Sequence, residues 1–134
     1  MMMTKEQHIH FWLKNAEEDF ETAIYNFNGK KNVYCLFFLR LSLEKLLKAI
    51  WVKDNVSNTP PFIHDLKNIY SNTELDLEIE QIDFLAIVND WNISAKYPDY
   101  KRSLYKKATD TYTMLQIERV KELRQCLLEE SSLA

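Results

Sequence analysis

The 134-residue sequence has one glycine and three prolines. A chain of that length built from strands and tight turns needs many more such breakers, so the sequence points to helices. Strand-like alternation, internal repeats and low-complexity runs are also missing. The two cysteines, Cys35 and Cys126, stand in apolar helical runs. They read as small core residues in a reducing compartment, neither a disulfide pair nor metal ligands. No large excess of one charge exists: 17 Lys and Arg face 20 Asp and Glu, a net charge of -3. A strongly basic nucleic-acid binder is therefore not the default reading, and only a local basic patch can argue for such contact. The first residues are polar and contain histidine, unlike a signal peptide. Residues 34–52 form an apolar run long enough for a membrane span, but four internal charges argue against one. The expectation is a cytoplasmic protein without membrane association, forming one domain over residues 1–134.

What is present is hydrophobic periodicity. With 46% apolar residues, the chain can bury a sizeable core. The pattern predicts a first helix over 4–27, capped by Thr4, with Phe11, Trp12, Ala16, Phe20, Ala23, Ile24 and Phe27 inward. Glu17, Glu18, Asp19 and Glu21 supply its solvent face. Asn28-Gly29 ends it, with Gly29 as a left-handed cap. A second helix covers 32–54 and is apolar nearly all round, as a central helix should be. A short helix over 63–70 follows the Pro60-Pro61 loop. An acidic stretch (Glu74, Asp76, Glu78, Glu80, Asp83) leads into a helix over 77–95, with Ile79, Ile82, Leu85, Ala86 and Val88 inward, stopped by Pro98. Residues 97–108 read as irregular, and the last helix covers 109–130, with Tyr112, Leu115, Val120, Leu123, Cys126 and Leu127 inward. The fold class is all-α, an antiparallel up-and-down bundle of four to five helices.

Three places carry chemistry. Arg40, Glu44 and Lys48 fall at spacings of four, in one line down the central helix, with Lys45 beside it. They either line a groove that takes a phosphate or a carboxylate, or pair along the helix, or fix a dimer seam. His64-Asp65 offers a general base or metal ligand on one reading. On the other, Asp65 sits in the first turn of a helix, against its positive end. The segment Lys96, Tyr97, Pro98, Asp99, Tyr100, Lys101, Arg102, Ser103, Leu104, Tyr105, Lys106, Lys107 interleaves rings and cations. That is the composition of a platform for single-stranded nucleic acid, or of an exposed loop whose rings lie back on the bundle. The basic segment and the acidic stretch together predict a molecule with one basic and one acidic end, suited to directional association. Trp12, Trp51 and Trp91 read as packing or interface anchors.

Taken together, these residues resemble the HEPN family of small helical domains. The resemblance rests on Trp12, Ala16, Asp19, Phe20 and Ala23 in the opening helix. It rests further on Leu43-Glu44-Lys45-Leu46-Leu47-Lys48-Ala49 followed by His64-Asp65-Leu66, and on Lys96-Tyr97-Pro98-Asp99 before a long final helix. It implies a four-to-five-helix bundle, usually a homodimer, often paired with a nucleotidyltransferase-type protein in a toxin–antitoxin-like system. Some members are metal-independent RNases that carry an arginine four to six residues before a histidine. Residues 89–98 of this chain contain neither residue, Lys96 replaces an arginine usual before Tyr-Pro-Asp, and Arg40 and Leu41 replace glutamines.

The expectation is a non-catalytic, homodimeric module with no cofactor and no metal. It binds a nucleotide or RNA through Arg40, Glu44, Lys45, Lys48, Lys96, Tyr97, Asp99, Tyr100, Lys101 and Arg102. An RNase with a site rearranged onto Lys96, Tyr97 and Arg102 is the enzymatic alternative, and a purely structural dimerisation module is the third reading.

Overall fold

The computed structural model describes residues 2–93 and 98–133, with the side chains of residues 98 and 100 left aside. Six helices span them: α1 (Lys5–Asn28), α2 (Asn32–Asp54), α3 (Leu66–Ser71), α4 (Ile79–Asn89), α5 (Pro98–Lys107) and α6 (Asp110–Ser131). Side-chain bonds fix their directions. Lys5 at the start of α1 donates to the Val52 and Asn55 carbonyls at the end of α2, so these two helices are antiparallel. Asn32, opening α2, donates to Ala108 and Asp110 where α6 begins, so α2 and α6 run together. Gln81 meets Cys126 while Trp91 meets Tyr112, so α4 runs against α6. The result is an up-down-up-down bundle of α1, α2, α4 and α6, with α3 and α5 as connectors.

The bundle has its centre in α2. Leu36, Leu39, Leu43, Leu46, Leu47 and Ile50 are essentially inaccessible, and α1, α6 and Trp91 close around them. Thr4 caps α1 as expected, in a reciprocal pair with Gln7. Thr109 caps α6, and the bounds of α2 match the expected 32–54.

Several local expectations are corrected. The left-handed residue after α1 is Lys30 (φ 63°), not Gly29, whose φ is -84°. The turn closes one residue later because Lys30 N donates to Phe27 O and Lys31 N to Asn26 O, the paired bonds of a Schellman motif. Helix α3 starts at Leu66 rather than 63, since Asp65 is its N-cap, accepting from Asn68 N. Helix α4 ends at Asn89 rather than 95. The Asp90 and Trp91 amides close onto Ile87 and Val88, and Trp91 turns into the core. The segment expected to be irregular is helical from Pro98 to Lys107, which takes the helix count to six among the described residues. Proline at the first position, Asp99 in the first turn and Lys106 and Lys107 in the last all favour that helix. Phe11, Ile79, Ala86 and Leu115 were expected inward and are exposed. Cys126 is only partly covered and lies against Gln81 and Glu130.

Candidate functional site

The charged stripe of α2 is buried. Arg40, Glu44 and Lys48 expose 6%, 4% and 5% of their surface. Glu44 is the hub: its Oε2 accepts from Lys48 Nζ at 3.3 Å and meets His64 Nδ1 at 3.2 Å, and its Oε1 lies 3.5 Å from Arg40 Nη2. Arg40 Nη2 also donates to the His64 carbonyl at 3.1 Å. Lys48 Nζ stands 5.4 Å from the Trp12 ring centre, a cation–π distance. Two buried cations thus share one carboxylate, a ring face and a carbonyl. The His64 loop is tied to α2 through these contacts, which helps explain why α3 cannot start at residue 63.

Lys45 belongs elsewhere. It pairs with Asp19 on α1 at 2.7 Å, with side-chain exposures of 24% and 13%. Asp19, expected on the solvent face, therefore looks toward α2. His64 is more than half exposed. A carboxylate only accepts, so Glu44 requires the proton on Nδ1, leaving Nε2 of the neutral ring as an acceptor. Asp65 does not join this cluster; it caps α3 and accepts from Asn89.

The basic segment lies at one end of the bundle. Asp99, Lys101, Arg102, Tyr105, Lys106 and Lys107 are exposed on α5, while Leu104 is buried and anchors the helix. Lys101 and Arg102 stand one turn before Tyr105 and share its side of the helix. Lys96 and Tyr97 lie outside the described residues, as does the side chain of Tyr100. The acidic stretch before α4 lies at the opposite end, where Glu74 N meets Asp54 and Gln81 meets Cys126. The 22 residues of α6 separate the two ends by about 30 Å.

Sequence reasoning missed the partners of the central stripe, because Trp12, His64 and Asp19 are distant in sequence. It also missed Lys30, Lys31 and Tyr34, which line a cavity beside α5. Burial pushes the Cys35 thiol up to about 12, so it is not a thiolate nucleophile near neutrality. No three His, Cys, Asp or Glu side chains among the described residues converge as metal ligands. No described helix is long and apolar enough to cross a membrane.

These features define a class: an all-helical bundle whose central helix carries a buried ionic ladder tied to a His-Asp-Leu loop. The chain belongs to the HEPN family, whose domain model matches residues 9–130, nearly its whole length. No curated protein and no solved structure gives a significant match.

Proposed function

We propose that this chain is a non-catalytic binding module that takes RNA or a nucleotide on its basic end. The observation that carries the reading is the placement of Lys101, Arg102, Lys106 and Lys107 on exposed turns of α5, in a chain of net charge -3. Cations gathered on one surface of an acidic molecule raise the local concentration of phosphates. Lys96, Tyr97, Asp99 and Tyr100 belong to the same segment and extend the proposed contact surface. Arg40, Glu44, Lys45 and Lys48 contribute by holding α1, α2 and the His64 loop in register.

The module is a homodimer that works beside a nucleotidyltransferase-type partner. Membership in the family supports this, and so do the opposed charges of the two ends. The uncovered rings of Phe62 and Phe11 are apolar surface for such contacts. Titration of a fluorescent single-stranded RNA at low salt tests the ligand, and absence of binding defeats it. Sedimentation at micromolar concentration tests the dimer, and a monomer there defeats it.

One observation favours a second reading, an RNase. His64 Nδ1 held by a buried Glu44, on a side chain that is itself more than half exposed, is the geometry of an oriented general base. Cleavage of RNA in the presence of a chelator, lost in His64→Gln, would establish it. Intact RNA after prolonged incubation excludes it.

A further inference from the structure

A cavity of about 300 Å³ lies between the α1–α2 turn and α5, lined among others by Lys30, Lys31, Asn32, Tyr34, Tyr105 and Ala108. We infer that it is a pocket for one nucleoside phosphate, either free or at the end of an RNA chain. This deepens the RNA-binding reading and rests on it.

The volume falls at the lower end of small-ligand sites, which start near roughly 300 Å³. Its wall chemistry has two parts. Lys30 and Lys31 are exposed cations on adjacent residues. Tyr34 from α2 and Tyr105 from α5 are 41% and 52% exposed. Paired ammonium groups suit a phosphate dianion, and half-open rings suit the flat face of a base. Asn32 borders the pocket with its amide already engaged, donating to the Ala108 carbonyl and to Asp110.

The lysines are displayed by a fixed turn. Lys30 N bonds Phe27 O at 2.9 Å and Lys31 N bonds Asn26 O at 2.7 Å. A rigid display lowers the ordering cost of binding. No side chain caps the start of α2, which adds a partial positive charge at the pocket floor. Asp110 is the acid beside the pocket, and it is engaged by Asn32. Lys101 and Arg102, one turn away on α5, stand where a following phosphate of a longer chain would pass.

Calorimetric titration with adenosine monophosphate at low salt tests the pocket. Saturable binding is expected, with inorganic phosphate at least about tenfold weaker because it leaves the rings unused. Lys30→Gln with Lys31→Gln is expected to weaken the nucleotide about tenfold or more through loss of charge-assisted contacts. Tyr105→Ala should weaken it about fivefold or more, and Lys67→Gln should leave it unchanged. Circular dichroism checks that each variant is folded, and Lys31→Gln alone serves if the double variant is not. An undetectable titration, an affinity indifferent to both lysines, or inorganic phosphate binding as tightly as the nucleotide overturns the inference. A single-stranded RNA carrying a 5′-phosphate separates the two readings. If it binds through Lys101 and Arg102 but ignores Lys30 and Lys31, the pocket fails and the RNA module stands. If no RNA binds while the mononucleotide does, the RNA module fails and the pocket stands. Preference for the 5′-phosphorylated over the 5′-hydroxyl chain assigns the pocket to an RNA end, and equal binding assigns it to the free nucleotide.

Discussion

Replacing Glu44 by Gln keeps the shape of the side chain and removes the carboxylate shared by Arg40 and Lys48. Both cations are about 93% covered at the side chain, so neither turns to water without opening the packing against α1. Breaking a buried ion pair by removing one partner costs about 3–5 kcal/mol. Here the lower end applies, since Arg40 keeps the His64 carbonyl and Lys48 keeps the Trp12 face. The expected loss is about 3 kcal/mol. With a urea dependence of about 2 kcal/mol/M, the unfolding midpoint should fall by about 1.5 M. Glu118→Gln is the matched control. Glu118 and Lys121 are both about half exposed, so that substitution should stay within about 0.5 kcal/mol. An apolar triple variant, Arg40→Met with Glu44→Leu and Lys48→Met, should recover wild-type stability or exceed it by about 1–3 kcal/mol. Urea unfolding followed by circular dichroism reads all four proteins. If Glu44→Gln costs no more than Glu118→Gln, the ladder is solvated in solution and its burial is refuted.

Three further outcomes are expected. Lys5→Met removes the ammonium that holds the Val52 and Asn55 carbonyls at the end of α2, and should cost about 1–2 kcal/mol in the same assay. Cys35 has an ordinary value of 9.0 and a folded value of about 12, so the native state holds its proton more tightly. Its contribution is fully present below pH 9 and is lost as pH rises toward 12, at up to about 1.4 kcal/mol per pH unit. Cys35→Ala should show a correspondingly flatter decline between pH 9 and 11, and parallel curves would contradict the burial. Lys30→Gly relieves a left-handed lysine and should raise stability by about 1 kcal/mol while weakening the mononucleotide, which melting and calorimetry read separately.

The helices were legible where pattern and local chemistry agree. Thr4 and Thr109 announce helix starts by their own hydroxyls, and α2 is bounded by its apolar run. Legibility failed where tertiary burial decides. Trp91 ends α4 because the core takes the ring, and nothing in residues 89–95 marks that stop. The end of α1 looked like a glycine cap because glycine is the usual left-handed residue, yet Lys30 takes that conformation beside a glycine that does not. Helix α5 is a different kind of miss: Pro98, Asp99, Lys106 and Lys107 were visible as start and stop signals, and the tyrosine content outweighed them. Of the candidate site, the i,i+4 spacing placed Arg40, Glu44 and Lys48 together. That His64 and Trp12 complete their surroundings depends on contacts between residues 20 to 36 positions apart, which spacing along one helix does not encode.

The central claim is that phosphates bind the basic end of the bundle. Its most direct test is the salt dependence of single-stranded RNA binding, measured by fluorescence anisotropy for the wild-type chain and for Lys101→Glu with Arg102→Glu. Four phosphate contacts on α5, at Lys101, Arg102, Lys106 and Lys107, predict a slope of log affinity against log salt of about -2.8, falling to about -1.4 or less in the reversed variant. A slope near zero in the wild-type chain, or the same slope in both proteins, would contradict the account.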